Sequence, residues 1–282
     1  MKLQIKRLIA QILLFFSANL GYPGYPGLKT GFCYPFFYCQ ACPAATSACP
    51  LRALEQSVDK GSFAWRLFLF PLLIIGTLGI LTGRAVCAWA CPIGLLQRGT
   101  GRVARKVKKT QLARKLGAHK VERYLRYTKY VLLISLVFVT SYVIGYIITD
   151  IPHIIFTDIC PVGFLTGTIP VLILNPGKFV PNFFFPIALV IFVLFIILIF
   201  IIERGWCRYF CPVGALLAPF NKISFLHISV DKTKCVHCNV CSYECPMGID
   251  VPNMHRDPEC VLCGKCVTAC PQQLITFQRR GR

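Results

Sequence analysis

The chain is 282 residues long, 55% hydrophobic and 15% charged, with a formal net charge of +20. So little charge cannot cover a domain of this size in water, which excludes an ordinary soluble surface. Seventeen cysteines add a second constraint, because thiols in that number serve metal ligation or disulfides.

Residues 1–20 hold the first apolar stretch, Leu3–Leu20, with Lys6 and Arg7 near its start. A first transmembrane helix and a signal peptide both fit it, and either leaves residue 21 on the same side. Residues 21–64 form a loop rich in cysteine and aromatic residues. Residues 65–220 read as a membrane domain. Within it Trp65–Gly83, Tyr130–Ile148 and Phe183–Ile202 approach the ~20 helical residues that a ~30 Å bilayer core requires. Gly163–Leu174 is apolar but shorter, as a re-entrant or interfacial segment would be. Residues 221–282 form a cysteine-rich tail.

Charge orients these elements. Residues 97–129 carry twelve Lys or Arg, among them Arg98, Arg126 and Lys129, against one acid, Glu122. The positive-inside rule makes this loop cytoplasmic. Both termini and the tail then lie inside, and loops 21–64 and 149–182 lie outside. The basic run thereby reads as a topology signal with a grip on anionic lipid or an acidic partner; placed between two spans, it does not read as a nucleic-acid site.

The tail carries Cys235-x2-Cys238-x2-Cys241-x3-Cys245-Pro and then Cys260-x2-Cys263-x2-Cys266-x3-Cys270-Pro. In this bacterial two-cluster ferredoxin spacing the fourth cysteine of each run ligates the other run's cluster. One [4Fe-4S] cluster is expected on Cys235, Cys238, Cys241 and Cys270, and a second on Cys260, Cys263, Cys266 and Cys245. His237 lies between ligands and is expected to tune the cluster's surroundings.

Four Cys-Pro motifs repeat along the rest of the chain: Cys49-Pro-Leu-Arg, Cys91-Pro-Ile-Gly, Cys160-Pro-Val-Gly and Cys211-Pro-Val-Gly. Each half runs from an outer motif through a span to an inner motif, as parallel repeats do. The expected fold is an all-α membrane domain of four transmembrane helices in two parallel repeats, followed by an α+β ferredoxin-like module.

The inner motifs, Cys87-x3-Cys91-Pro and Cys207-x3-Cys211-Pro, each place two thiols on one helix face. A cubane needs four, so pairing the motifs across the repeat axis supplies a third [4Fe-4S] site from Cys87, Cys91, Cys207 and Cys211. Buried core cysteines and a zinc site are the competing readings. Arg84, Arg204 and Arg208 either stabilise thiolates there or anchor the helix ends.

Gly83-Arg84-x2-Cys87-x-Trp89-x-Cys91-Pro92 and Arg204-Gly205-Trp206-Cys207-x3-Cys211-Pro212-Val213-Gly214 resemble the NapH-type polyferredoxins over roughly residues 60–282. Those are membrane-bound quinol dehydrogenase subunits, and the membrane domains of NosR and CcoG are similar to them. The resemblance implies an iron–sulfur electron-transfer subunit in the cytoplasmic membrane. It would link a quinone or membrane redox pool to partner subunits of an oxidoreductase complex. The similarity to CcoG keeps open an assembly factor that reduces a metal centre for insertion.

The outer cysteines depart from that pattern. Cys39, Cys42, Cys49 and Cys160 suit a fourth [4Fe-4S] site, with Cys33 able to replace one of them; disulfides on an oxidising face suit them too. Sites at opposite faces of a ~30 Å core need a bridge, such as a quinone, a partner haem or loops that dip inward. The aromatics Phe32, Tyr34, Phe36, Phe37 and Tyr38 read as a quinone wall or an interfacial belt. His153 reads as a quinone or proton ligand or as an interfacial polar residue. No nucleotide fingerprint, nucleophile triad or carboxylate pair appears, so no catalytic residue is assigned.

Overall fold

The computed structural model describes residues 2–19, 33–39, 47, 49–58, 63–108, 119–147, 156–174 and 184–280. Helix α1 (Lys2–Ala18) is followed by the short α2 (Pro50–Val58) and by α3 (Trp65–Thr82). Two helices then flank the first inner motif, α4 (Ala85–Trp89) and α5 (Pro92–Lys108). Helix α6 (His119–Leu132) runs through a π-helical stretch (Leu133–Val139) into α7 (Thr140–Ile147). Helix α8 (Pro161–Leu174) begins at the second outer motif. The second half ends with α9 (Phe185–Ile201), α10 (Gly205–Tyr209) and α11 (Pro212–Leu217).

Helix α3 is apolar on nearly every side, and its largest side chains point outward: Trp65 is 64% exposed and Leu73 65%. Such a helix is stable only if lipid or protein covers it. Among the described residues α3 is the one helix both long and apolar enough to cross a membrane; Pro161–Leu174 and Phe185–Ile201 are apolar but shorter. The expected spans near residues 3–20 and 130–148 fall on α1 and on the α6–α7 run.

The two halves stop their long helices differently. Gly83 ends α3 at φ +58 and ψ −135, a conformation open essentially to glycine, whereas α9 ends at the extended Ile202 and Arg204 takes the left-handed conformation, φ +56 and ψ +32, just before α10. Beyond these ends the halves match. The next short helix ends with matching hydrogen bonds, Cys91 N to Val86 O at 3.1 Å and Cys211 N to Trp206 O at 3.0 Å. Pro92 and Pro212 then start new helices, where the missing N–H costs nothing.

In the tail, β1 (Leu226–Val230) and β2 (Ile275–Arg279) pair antiparallel, from Leu226 opposite Arg279 to Val230 opposite Ile275. The ribbon brackets both cysteine runs, each of which includes one helical turn, α12 (Val240–Tyr243) and α13 (Lys265–Ala269).

Candidate metal centres

The tail repeats its backbone as well as its cysteines. His237, Asn239 and Gly248 have positive φ, and so do Leu262, Gly264 and Gln273 at the equivalent places of the second run. Three of these six, His237, Leu262 and Gln273, are neither glycine nor asparagine, and each pays of order 1 kcal/mol for the left-handed conformation. That cost is tolerated where the turn must wrap a group and aim backbone N–H donors inward. Cys235, Cys238, Cys241 and Cys270 line one cavity. Cys245, Cys260, Cys263 and Cys266 line another, smaller one. The structure thus places four of the eight tail thiols around each cavity. No three described His, Cys, Asp or Glu side chains converge on a point suited to a single ion. Thiols standing around a cavity suit a cubane, in which each binds a different iron.

The two cavities differ in setting. Cys238 is exposed and Val236 beside it is 66% exposed. Cys263 and Cys266 are buried, and the loop that carries them is clamped to the preceding helices. Trp89 Nε1 donates to Leu262 O at 3.0 Å, and Arg7 Nη1 donates to Cys263 O at 2.9 Å. Asn221 Nδ2 reaches the carbonyls of Asp257, Pro258 and Cys260 at 3.0, 3.1 and 2.6 Å. Arg126 Nη2 donates to Gly248 O at 2.8 Å.

The inner thiols Cys87, Cys91, Cys207 and Cys211 are all buried and lie within electrostatic reach of one another. Donors surround them. Gln97 Nε2 lies 3.2 Å from Cys207 Sγ, and Gly214 N lies 3.4 Å from Cys211 Sγ. The arginines cross between halves: Arg84 Nη2 donates to Cys207 O at 3.3 Å and covers Gly214, while Arg204 Nη2 covers Gly94. The close contacts at these glycines are to the opposite arginine and to a Cys carbonyl.

Arg84 Nη1 also donates to Glu259 Oε2 at 2.9 Å, and Lys129 Nζ binds the same oxygen. Burial alone would raise the Glu259 pKa; Arg84 and then Lys129 overcome it and hold the carboxyl below its usual range. Arg204 is 2% exposed, and neither of its terminal nitrogens has a hydrogen-bond partner among the described residues. A buried guanidinium without an anion is costly. A [4Fe-4S] group on four thiolates carries a charge of roughly −2, which with Glu259 balances Arg84, Arg204 and Lys129. The donor set, the charge and the unmatched Arg204 fit such a group.

At the outer motifs Cys49 lies near Cys39 and Cys33, and Cys160 lies near Cys39 and Cys49. A Cβ on Gly163 would stand 3.5 Å from Cys39 Sγ. Burial pushes the Cys33 and Cys49 thiols up to about 12, so a thiolate there depends on a bound cation. Cys42, Phe32 and His153 lie outside the described residues. The interfacial-belt reading of the loop aromatics is corrected: Tyr34, Phe36, Phe37 and Tyr38 are all buried, because they pack into the helical core beside the cysteines. Two charges of the basic run face the protein itself: Lys129 is fully buried on Glu259 and Arg126 holds the tail.

A family model described as a 4Fe-4S binding domain matches residues 63–110 and again residues 184–230, which contain the two inner motifs. An uncharacterized protein of Methanocaldococcus jannaschii is 29% identical over 281 residues, covering 98% of this chain and 96% of that one. The ferredoxin-type protein NapH of Escherichia coli is 28% identical over 246 residues, covering 82% of this chain and 74% of NapH. The regulatory protein NosR of Stutzerimonas stutzeri is 29% identical over 238 residues, covering 78% of this chain and 29% of NosR. No solved structure matches. These relatives meet the expectation raised by the Gly83–Pro92 and Arg204–Gly214 motifs.

Proposed function

We propose that this chain, an iron–sulfur electron-transfer protein related to the NapH-type polyferredoxins and to NosR, is a four-span subunit of the cytoplasmic membrane. It passes electrons between a quinone or membrane redox pool and a partner oxidoreductase. The observation that carries the reading is the inner site. Two Cys-x3-Cys pairs, one from each half, meet around buried arginines and are clamped to the loop bearing Cys260 and Cys263.

Two [4Fe-4S] groups on the tail thiols and a third on Cys87, Cys91, Cys207 and Cys211 supply one-electron exchange. The protein's part is to hold the thiols, exclude water and balance charge. The clamped cavity faces the membrane domain, and the more exposed Cys235–Cys241 cavity is left for a soluble partner. A fourth group on Cys39, Cys42, Cys49 and Cys160, with Cys33 beside them, belongs to the same reading. The grip of Gln4 and Arg7 on the tail supports α1 as a retained helix starting on the tail's side.

Iron and acid-labile sulfide per chain test this after oxygen-free purification. Four thiol sets imply about sixteen irons and three imply about twelve. About eight, the tail's share alone, would overturn the inner site. Reduction by a quinol, seen as bleaching of iron–sulfur absorbance, tests the link to the membrane pool; no bleaching removes the quinone from the reading.

A further inference from the structure

The outer loop does not stay at the outer rim. Its aromatic segment is tied to the far end of α1, where the Tyr34 hydroxyl donates to Ala18 O at 2.9 Å and the Tyr38 hydroxyl to Asn19 Oδ1 at 2.5 Å. Next to this anchor the chain reaches the inner site. The Phe37 carbonyl lies 3.7 Å from Cys91 Sγ, and the Phe37 ring stacks on Trp206 at 6.2 Å and 11°. Phe156 lies 6.3 Å from the same ring.

Each ring is joined by a short stretch of chain to a cysteine. Phe37 is two residues from Cys39, Trp206 adjoins Cys207, and Phe156 precedes Cys160 by four. Helix α2, which starts at the outer Cys49-Pro50, also touches α11, which starts at the inner Cys211-Pro212. Helix α1 supplies a ruler. Arg7 holds Cys263 O and Ala18 holds Tyr34, and the rise between those two residues is about 17 Å. That is little more than half of a ~30 Å bilayer core. Non-helical backbone at such depth is permitted when protein buries it, and Phe37 and Tyr38 are 3% and 2% exposed.

We propose that the Tyr34–Tyr38 segment is a re-entrant plug that brings the outer thiol set against the inner one, with the Phe37–Trp206 stack as the contact between them. The inference rests on reading both sets as [4Fe-4S] sites. It removes the need for a quinone or haem to bridge the two faces. One electron crosses the stack with no bond made or broken and no proton moved. An external one-electron reductant such as dithionite supplies it.

The full chain in nanodiscs, reduced by dithionite without oxygen, tests the plug by electron paramagnetic resonance and iron analysis. The expected result is about sixteen irons and a magnetic splitting of the inner signal. Cys49→Ser should remove that splitting together with about four irons. Phe37→Leu should keep iron and splitting but slow reduction of one set through the other by roughly tenfold in rapid mixing. Phe37→Tyr, which keeps the ring, should run at the wild-type rate. Sixteen irons with magnetically isolated signals overturn the plug. A wild-type rate in Phe37→Leu, or a slowed rate in Phe37→Tyr, overturns the role of the ring. Twelve irons, unchanged in Cys49→Ser, overturn the reading of the outer set and the plug with it.

Discussion

The Arg84 guanidinium closes over Gly214: its Nη2 stands 2.9 Å from the point where a Cβ on residue 214 would lie. Arg204 covers Gly94 in the mirrored way, with Nη2 at 3.7 Å. The arginine of each half is therefore a wall of the other half's thiol pair, and neither pair is complete alone.

Gly214→Ala should break this arrangement. The methyl group displaces Arg84 from Cys207 O and disturbs its pairing with Glu259, so the inner set should lose about four irons while the tail keeps its own. Gly99→Ala is the control. Nothing lies within 4 Å of its Cβ position on the exposed face of α5, and the change should stabilise that helix by about 0.5–1 kcal/mol. Iron analysis and a thermal melt of both variants decide; full iron in Gly214→Ala would refute the crossed-arginine account.

Glu259→Gln leaves Arg84 and Lys129 facing each other without their shared carboxylate, although both are fully buried. Breaking a buried pair in this way costs about 3 kcal/mol. The added positive potential favours the reduced state of the neighbouring iron–sulfur groups, so their midpoint potential should rise. Adding Lys129→Met restores the charge balance and should recover most of both effects. A redox titration in which Glu259→Gln leaves every midpoint unmoved would remove Glu259 from the electrostatics of the junction.

The cysteine spacings and the four Cys-Pro motifs were legible because each is a local pattern. The grouping of eight tail thiols around two cavities and the start of new helices at Pro92 and Pro212 accord with them. What joins those parts was not legible. Asn221 is one polar residue in an apolar linker, and its three carbonyl acceptors lie 36 to 39 positions away. Lys129 looks like one more charge in a basic run until Glu259, 130 positions later, is packed against it. Phe37 looks interfacial because its stacking partner, Trp206, belongs to the other half. Spacing encodes what a segment binds locally; it carries no record of which distant segment fills the remaining face.

The left-handed positions of the tail give a sharper test of the cradle. Asn239 sits at φ +57, a conformation asparagine tolerates and a β-branched residue does not. Asn239→Val should cost about 1–2 kcal/mol and should loosen the exposed cavity first. Leu262→Gly should relieve strain at the equivalent place of the second run. Chelator-driven iron loss followed over time measures both. Release from Asn239→Val no faster than wild type would mean that the turn does not shape the site.

Glu55 makes stability depend on pH. Its side chain is fully buried in α2, where Thr157 Oγ1 donates to Oε2 at 2.7 Å and Oε1 has no partner among the described residues. Burial outweighs Thr157 and Arg52 and raises the carboxyl from 4.5 to about 7. Below pH 4.5 the folded and unfolded chains are both protonated at this residue. Between 4.5 and 7 the unfolded chain ionises and the folded one does not, so stability falls with rising pH. The loss accumulates to about 3 kcal/mol and levels off above pH 7. Glu55→Gln removes the difference in proton binding. Thermal melts in one detergent from pH 5 to 8 should show wild type losing stability relative to Glu55→Gln across that window. Parallel curves would mean that the Glu55 carboxylate finds a partner once ionised.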